Sequence, residues 1–304
     1  MSSSTTKHKG TSKRKREETY WAWFFIGPTL IGLLIFYTLP TIVALGLGFT
    51  SWDGLSTPIF NGLENFTRLF QDEKFIRSIW NTVLYTFVTV PVSISIATVI
   101  AVLLNQKIKG VSFYRTIYFL PVITMPVAVA MLWRWLYNTD YGIINYILKL
   151  VNLPGVSWLQ DERTVLLSIM LVAIWSGVGF NIVLLMAGLQ GIPQTYYEAA
   201  DLDGASSIRK FFTITLPLLT PSIFFASVIG IINSFQVFDY IFVMSPRSGS
   251  VLDATRTMVY SIYEVGFTNF ELGYASAQSL ILFIFILLVT IIQMKMQKKW
   301  VHYN

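Results

Sequence analysis

Thr195-Tyr196-Tyr197-Glu198-Ala199-Ala200-Asp201-Leu202-Asp203-Gly204 is a short polar segment between two long apolar runs, and the rest of the chain is organised about it. Thr195 followed three residues on by Glu198 has the form of a capping box, in which the hydroxyl takes an orphan N–H and the carboxylate reaches back. That spacing predicts a helix starting at Tyr196. Gly204, tolerant of left-handed backbone angles, marks its end, and Pro193 bars a simple continuation from upstream. The segment reads as a helix of about two turns, over residues 195–204, held at a membrane surface by the apolar runs on either side.

Those runs name the solvent. With 54% hydrophobic residues, 12% charged residues and a mean hydropathy of +0.59, the chain is a membrane protein and not an ordinary soluble domain. It has no cysteine, which excludes disulfides, thiol nucleophiles and cysteine-ligated metals. A hydrocarbon layer of about 30 Å needs about 20 helical residues. Six apolar stretches answer to that, within residues 21–50, 81–104, 116–133, 164–189, 211–238 and 272–294. The expected fold is all-α, a polytopic membrane protein with six transmembrane helices and one short cytoplasmic helix. Pro40, Pro91, Pro121, Pro126, Pro217 and Pro221 fall within these stretches, so kinked helices are expected, packed on neighbours that satisfy the freed carbonyls.

Residues 1–19 form a basic tail, with Lys7, Lys9, Lys13, Arg14, Lys15 and Arg16 ahead of Glu17 and Glu18. Its composition predicts disorder. Directly before a long apolar run, six basic residues read as a topology signal and not as a nucleic-acid arm. The run that follows is too long for a cleaved signal peptide and lacks a small-residue cleavage pattern. Residues 20–304 are then one transmembrane domain.

Orientation follows from the basic residues outside the spans. The tail, Lys107, Lys109, Arg115, Arg209, Lys210, Lys295, Lys298 and Lys299 put fourteen on one side, against eight on the other. The excess marks the cytoplasmic face, so both termini and the Glu198 helix are expected there, in a multi-pass protein of the cell membrane. The outer connections are long and aromatic, with Trp52, Phe60, Phe66, Phe70, Phe75 and Trp80 in one and Trp135, Tyr137, Tyr141, Tyr146 and Trp158 in another. Interface anchoring accounts for most of them; a platform for an extracytoplasmic binding protein is the functional reading.

Several chemistries are excluded by what the spans lack. A proton-coupled carrier uses intramembrane carboxylates or histidines, and the two histidines, His8 and His302, sit in the terminal tails. Carboxylate pairs and metal-ligand clusters are missing, so no catalytic or metal site is expected. No GxxxxGK[ST] phosphate loop occurs, so this chain does not hydrolyse nucleotide by itself.

Neutral polar side chains remain for a solute. Asn233, Gln236 and Tyr240 fall at i, i+3 and i+7, which predicts one face of the fifth helix. Ser176, Phe180 and Asn181 lie about one turn apart in the fourth, beside Gly177 and Gly179, and Asp239 closes the outer end of the fifth. Aromatic rings beside amides and hydroxyls suit an uncharged polyhydroxylated solute, because sugar CH faces stack and hydroxyls need partners. Helix packing is the competing reading for each of these residues.

Glu198, Ala199, Ala200, Gly204, Ile214, Leu216 and Pro217 keep the spacing Glu-Ala-Ala, three residues, Gly, nine residues, Ile, one residue, Leu-Pro. This resembles the cytoplasmic coupling motif of ABC importer permeases. Phe235-Gln236-Val237-Phe238-Asp239, followed by Tyr260-Ser261-Ile262-Tyr263 and Gly273-Tyr274-Ala275-Ser276-Ala277, is similar to the C-terminal half of the carbohydrate, maltose-type members. Where that family commonly has a Thr-x-Gly-Gly-Pro loop, this chain reads Ser245-Pro246-Arg247-Ser248-Gly249. The resemblance implies a permease for a sugar or oligosaccharide, bound to no cofactor itself. It also implies a second related permease, an ABC ATPase dimer carrying ATP and Mg, an extracytoplasmic solute-binding protein, a lipid surround and no nucleic acid. Glu198, Ala199, Ala200, Asp203, Gly204, Leu216 and Pro217 would then couple to the ATPase. A self-contained carrier or channel for a neutral polar solute is the alternative; paired broken helices in two similar halves would be expected of it, and no convincing repeat is visible.

Overall fold

A run of Leu, Ile, Val and Phe in hydrocarbon must satisfy its backbone within itself, and a helix does so locally. The computed structural model of the chain is accordingly all-α, and it describes residues 10–106, 110–247 and 249–301. Residues 1–9 of the tail, Lys107, Lys109, Ser248 and His302 lie outside the described residues.

Among the described residues, four helices are long and apolar enough to cross a membrane: Lys15–Leu47, Glu73–Leu104, Val165–Gln190 and Leu272–Trp300. Two further pairs qualify as bent spans. Val111–Ile123 and Pro126–Leu136 meet at 101°, and Ser207–Leu218 and Thr220–Phe235 at 63°. Counting each pair as one passage gives six, at the places expected. The first bend lies at Pro126, which drives Met125 (ψ 132) out of the helical region; Thr124 (ψ 137) before it is extended as well. The second falls at Leu219 (φ −85, ψ −7), ahead of Thr220 and Pro221.

Of the tail, the described residues from Gly10 onward belong to the first helix, Gly10–Leu33. Lys, Arg and Glu are good helix formers, and adding turns to an existing helix avoids the cost of nucleation. The first span packs on the rest of the chain through Leu39–Leu47, which lies along the sixth span. Its preceding turns expose Trp21, Trp23, Phe24 and Phe25.

The core lies between Glu73–Leu104 and Val165–Gln190, crossed by Thr220–Phe235. Ala97, Ala101, Ile182, Leu185 and Leu189 fill the half nearer the Gln194–Leu202 segment, and Tyr85, Val165, Ile169, Val172 and Ile241 the other half. Gly179 is needed for this packing. A Cβ there would stand 2.0 Å from the Tyr118 carbonyl oxygen, so the third span rests directly on the fourth.

Two devices stiffen the outer connections. Asn145, buried, uses all four of its hydrogen-bonding positions: Nδ2 donates to the Thr139 and Val156 carbonyls, and Oδ1 accepts from the Val156 N–H and Trp158 Nε1. Arg256, its side chain 4% exposed, pairs with Asp253 and Glu264. Asn81 on the second span donates to the Asp253 and Arg256 carbonyls, each at 3.0 Å, and ties that loop to the core. The strand content described is one two-residue pair, Thr50–Ser51 with Ile59–Phe60, antiparallel.

Candidate functional site

The buried face of Glu73–Leu104 carries Ser78, Thr82, Tyr85, Thr89 and Ser93, a polar stripe at helical spacing inside an apolar run. Thr82 and Thr89 return their protons to carbonyls one turn back, at 2.7 Å each. The stripe is thereby compatible with hydrocarbon, and its later members, Tyr85, Thr89 and Ser93, face the fourth and fifth spans. Between these helices lies a cavity of about 490 Å³.

Tyr85, Thr89 and Ser93 form one wall, Ser176, Phe180 and Asn181 the second, and Asn233, Gln236, Asp239 and Tyr240 the third. All seven side chains singled out for a solute therefore line one space. Cross-links hold the walls: Asn181 Nδ2 donates to Ser93 Oγ at 3.0 Å, and Tyr240 Oη donates to Ser176 Oγ at 3.0 Å. Asp239 is the one acid among the lining residues, and no lysine or arginine lines the cavity. Phe238 stacks on Phe242 with ring centroids 5.1 Å apart and touches Tyr263 at the same distance, giving the outer rim an aromatic character. No cluster of residues that could hold a metal occurs among the described residues.

The expected single face of Asn233, Gln236 and Tyr240 is a correction. The fifth helix stops at Phe235, Gln236 is its cap, and Tyr240 belongs to a separate short helix, Asp239–Met244. The break is held from outside: the Val237 carbonyl accepts from Thr257 Oγ1 at 3.2 Å, in place of a helical N–H. The three side chains meet at the cavity because the chain turns there. The second-span wall was missed, although polar residues at i, i+4, i+7 and i+11 were the signal for it.

The polar segment at 195–204 forms a helix, Gln194–Leu202, but starts differently from the expected capping box. Pro193 is the cap (φ −60, ψ 134), no side chain caps the N-terminus, and Thr195 lies within the first turn. Proline has no N–H to satisfy and its fixed φ suits the start of a helix, so the turn begins at once. The C-terminus is as expected. Gly204 has φ +70, its N–H reaches the Asp201 carbonyl at 3.1 Å and the Ala205 N–H the Ala200 carbonyl at 2.9 Å, a Schellman closure.

This helix has two distinct sides. Glu198, Ala199, Asp203 and Gly204 are exposed, and Leu202 is 91% exposed beside them. Tyr197 and Asp201, one turn apart, face the following segment, where Tyr197 meets Thr215 and Asp201 accepts from Lys210 Nζ at 2.6 Å. Ala200, Leu216 and Pro217 are half-buried. The arrangement is a small apolar and acidic knob, anchored on one side and presented on the other.

A family model described as binding-protein-dependent transport system inner membrane component matches residues 67–302, which takes in both the cavity and the knob. The chain belongs to this family of transport permeases. The permease is 38% identical over 298 residues to the probable ABC transporter permease protein YesP of Bacillus subtilis (strain 168), covering 96% of this chain and 95% of that one. It is 34% identical over 287 residues to the sn-glycerol-3-phosphate transport system permease protein UgpA of Agrobacterium fabrum, covering 93% and 96%. In fold it matches a chain of a bacterial alginate ABC transporter solved with an alginate pentasaccharide-bound periplasmic protein, with a TM-score of 0.83 at 24% identity, over 94% of this chain and 96% of that chain. The permease is an ABC importer subunit of the multi-pass membrane class, and the sixfold passage of its chain agrees with that.

Proposed function

We propose that this permease forms half of the translocation pathway of an ATP-driven importer for a sugar or oligosaccharide, and that the cavity between the second, fourth and fifth spans is its part of that path. The observation that carries the reading is the meeting of Ser176, Phe180, Asn181, Asn233, Gln236, Asp239 and Tyr240 around one space of about 490 Å³. Amides, hydroxyls and aromatic rings without a basic residue suit a polyhydroxylated solute better than a free anion. Relatives named for sn-glycerol-3-phosphate and a fold relative involved in the import of the acidic polysaccharide alginate support a polyol or saccharide solute, and their own solutes carry negative charge.

The Gln194–Leu202 helix is the contact with an ATPase subunit, seated in a groove by Leu202, Ala199 and Glu198 as an amphipathic helix seats its anchors. ATP and Mg belong to that partner. A second related permease completes the pathway, a solute-binding protein delivers to the outer face, and lipid surrounds the spans. Both termini and the helix lie in the cytoplasm, as the excess of basic residues on that side favours.

The test is purification in mild detergent through a tag on this chain, with co-purifying subunits identified and ATP hydrolysis assayed with and without candidate sugars. Recovery of an ATPase and a second permease, with sugar-stimulated hydrolysis, is the expected result. This chain recovered alone and moving solute in liposomes without ATP would return the reading to a self-contained carrier.

A further inference from the structure

Tyr197 and Thr215 meet at the joint between the surface helix and the fifth span. The phenol oxygen lies 3.0 Å from Thr215 Oγ1, and Thr215 Oγ1 in turn donates to the Lys210 carbonyl at 3.4 Å. A threonine hydroxyl has one proton, so with that proton on Lys210 the phenol is the donor between the two hydroxyls. Thr215 is 4% exposed, and Tyr197 is half-buried against the inner core that contains Leu219.

Thr215 also closes an unusual turn. Residues Phe211–Thr215 form a π-helical segment in which the Leu216 N–H reaches the Phe211 carbonyl, five residues back. Pro217 follows, without an N–H and with a ring that crowds the preceding turn. The same Thr-Leu-Pro sequence occurs at Thr38-Leu39-Pro40, with the same consequence: Leu34–Thr38 is π-helical and the Leu39 N–H reaches the Leu34 carbonyl. There Thr38 Oγ1 bonds the Leu33 carbonyl at 3.3 Å and is exposed. The widened turn is thus a local product of the tripeptide. What distinguishes the second copy is a tyrosine from the surface helix holding its threonine.

We propose that the Tyr197–Thr215 hydroxyl pair is the positioning contact through which displacement of the surface helix reaches the widened turn before Pro217, and through it the helix that carries Asn233. Such turns are common at functional sites in helices, and a bulged turn beside a proline is where a helix can bend. The contact affects switching through a difference between the two access states, one keeping the pair and the other parting it. The Lys210–Asp201 ion pair lies at the surface and contributes less. This inference rests on the reading of that helix as the ATPase contact.

The chain has no cysteine, so Ser234→Cys, in the cavity wall, gives it a single thiol whose maleimide labelling rate reports access. The probe is MgATP with orthovanadate, added to the complex purified with its ATPase. In the Ser234→Cys background nucleotide trapping is expected to change the labelling rate. Tyr197→Phe and Thr215→Val should each shrink that change about three- to tenfold, the effect of losing one buried hydrogen bond, with the ATPase still co-purifying. Thr215→Ser, which keeps the hydroxyl, and Thr38→Val, in the tripeptide that no tyrosine holds, should retain it. The Tyr197→Phe, Thr215→Val double variant should be no worse than either single. A normal response in Tyr197→Phe, or a loss in Thr38→Val equal to that in Thr215→Val, overturns the link alone. A background protein that binds no ATPase or ignores nucleotide overturns the reading of the surface helix and the link with it.

Discussion

Asn181 and Ser93, 88 residues apart in sequence, are joined by a 3.0 Å hydrogen bond between an amide and a hydroxyl inside the membrane domain. That bond aligns the fourth span with the second and holds two walls of the cavity at a fixed separation. The third wall is tied to the second through Tyr240 and Ser176, and it exposes the amides of Asn233 and Gln236 to the cavity. Replacing Asn233 and Gln236 together with leucine should lower uptake by tenfold or more, given about 1–3 kcal/mol for each unmade polar contact with solute, while the other subunits co-purify in normal yield. Unchanged uptake kinetics in that double variant would return both residues to helix packing.

Glu198 is exposed on the presented side of the surface helix, beside Ala199 and Leu202. Glu198→Lys should reduce the amount of ATPase recovered with the tagged permease and reduce transport with it, leaving solute binding to the extracytoplasmic protein intact. Leu202→Asp should do the same by placing a charge at the most exposed apolar position of that helix. Full recovery of ATPase with both variants would place the docking surface elsewhere.

Gly179 admits no side chain, because a Cβ would lie 2.0 Å from a backbone oxygen and that oxygen cannot move without its helix. Gly179→Ala should therefore destabilise the folded domain by about 1–3 kcal/mol, the usual cost of overpacking. The measurement is a thermal melt in detergent against wild type. Gly27, with open space around it, gives the contrasting case, and Gly27→Ala should leave the melt unchanged.

Arg256 is a buried charge with two carboxylate partners, and cutting it out strands both. Arg256→Gln should cost about 3 kcal/mol or more, as removal of one partner from a buried pair does. The outer connection over 245–271 should become sensitive to protease in intact vesicles. Protease resistance equal to wild type would show that Asn81 alone holds the loop.

Asn145→Asp makes a pH test of the outer connection over 137–164. The two donors that Asn145 offers to the Thr139 and Val156 carbonyls are lost when Asp is ionised, and the charge is buried besides. Both effects push the carboxyl pKa in the folded state above its unfolded value of about 3.9, against the Val156 N–H and Trp158 Nε1 donors, which favour the charged form. The neutral acid, able to donate one bond, fits better. The variant should be most stable below that unfolded value and lose stability as pH rises toward the folded pKa. A melting temperature that is flat between pH 4 and pH 7, approximately the range over which such a carboxyl ionises, would contradict the hydrogen-bond assignment.

Residues 21–50, 81–104, 164–189 and 272–294 announce their spans through composition alone, because a helix in hydrocarbon needs nothing but length and apolar side chains. Gly204 announced its own backbone, since few residues other than glycine close a helix with a left-handed turn. The family resemblance was legible for a similar reason: its residues keep a fixed spacing within one short segment. Tertiary structure alone decided the rest. The end of the fifth helix at Phe235 depends on Thr257 reaching the Val237 carbonyl from twenty residues away, and no local pattern contains that bond. The cavity depends on three helices that turn Ser93, Asn181 and Asn233 toward each other, and the pairing of Tyr197 with Thr215 on a proline-induced bulge. Sequence periodicity gives each residue a face of its own helix; which faces meet is set by the packing of all the helices at once.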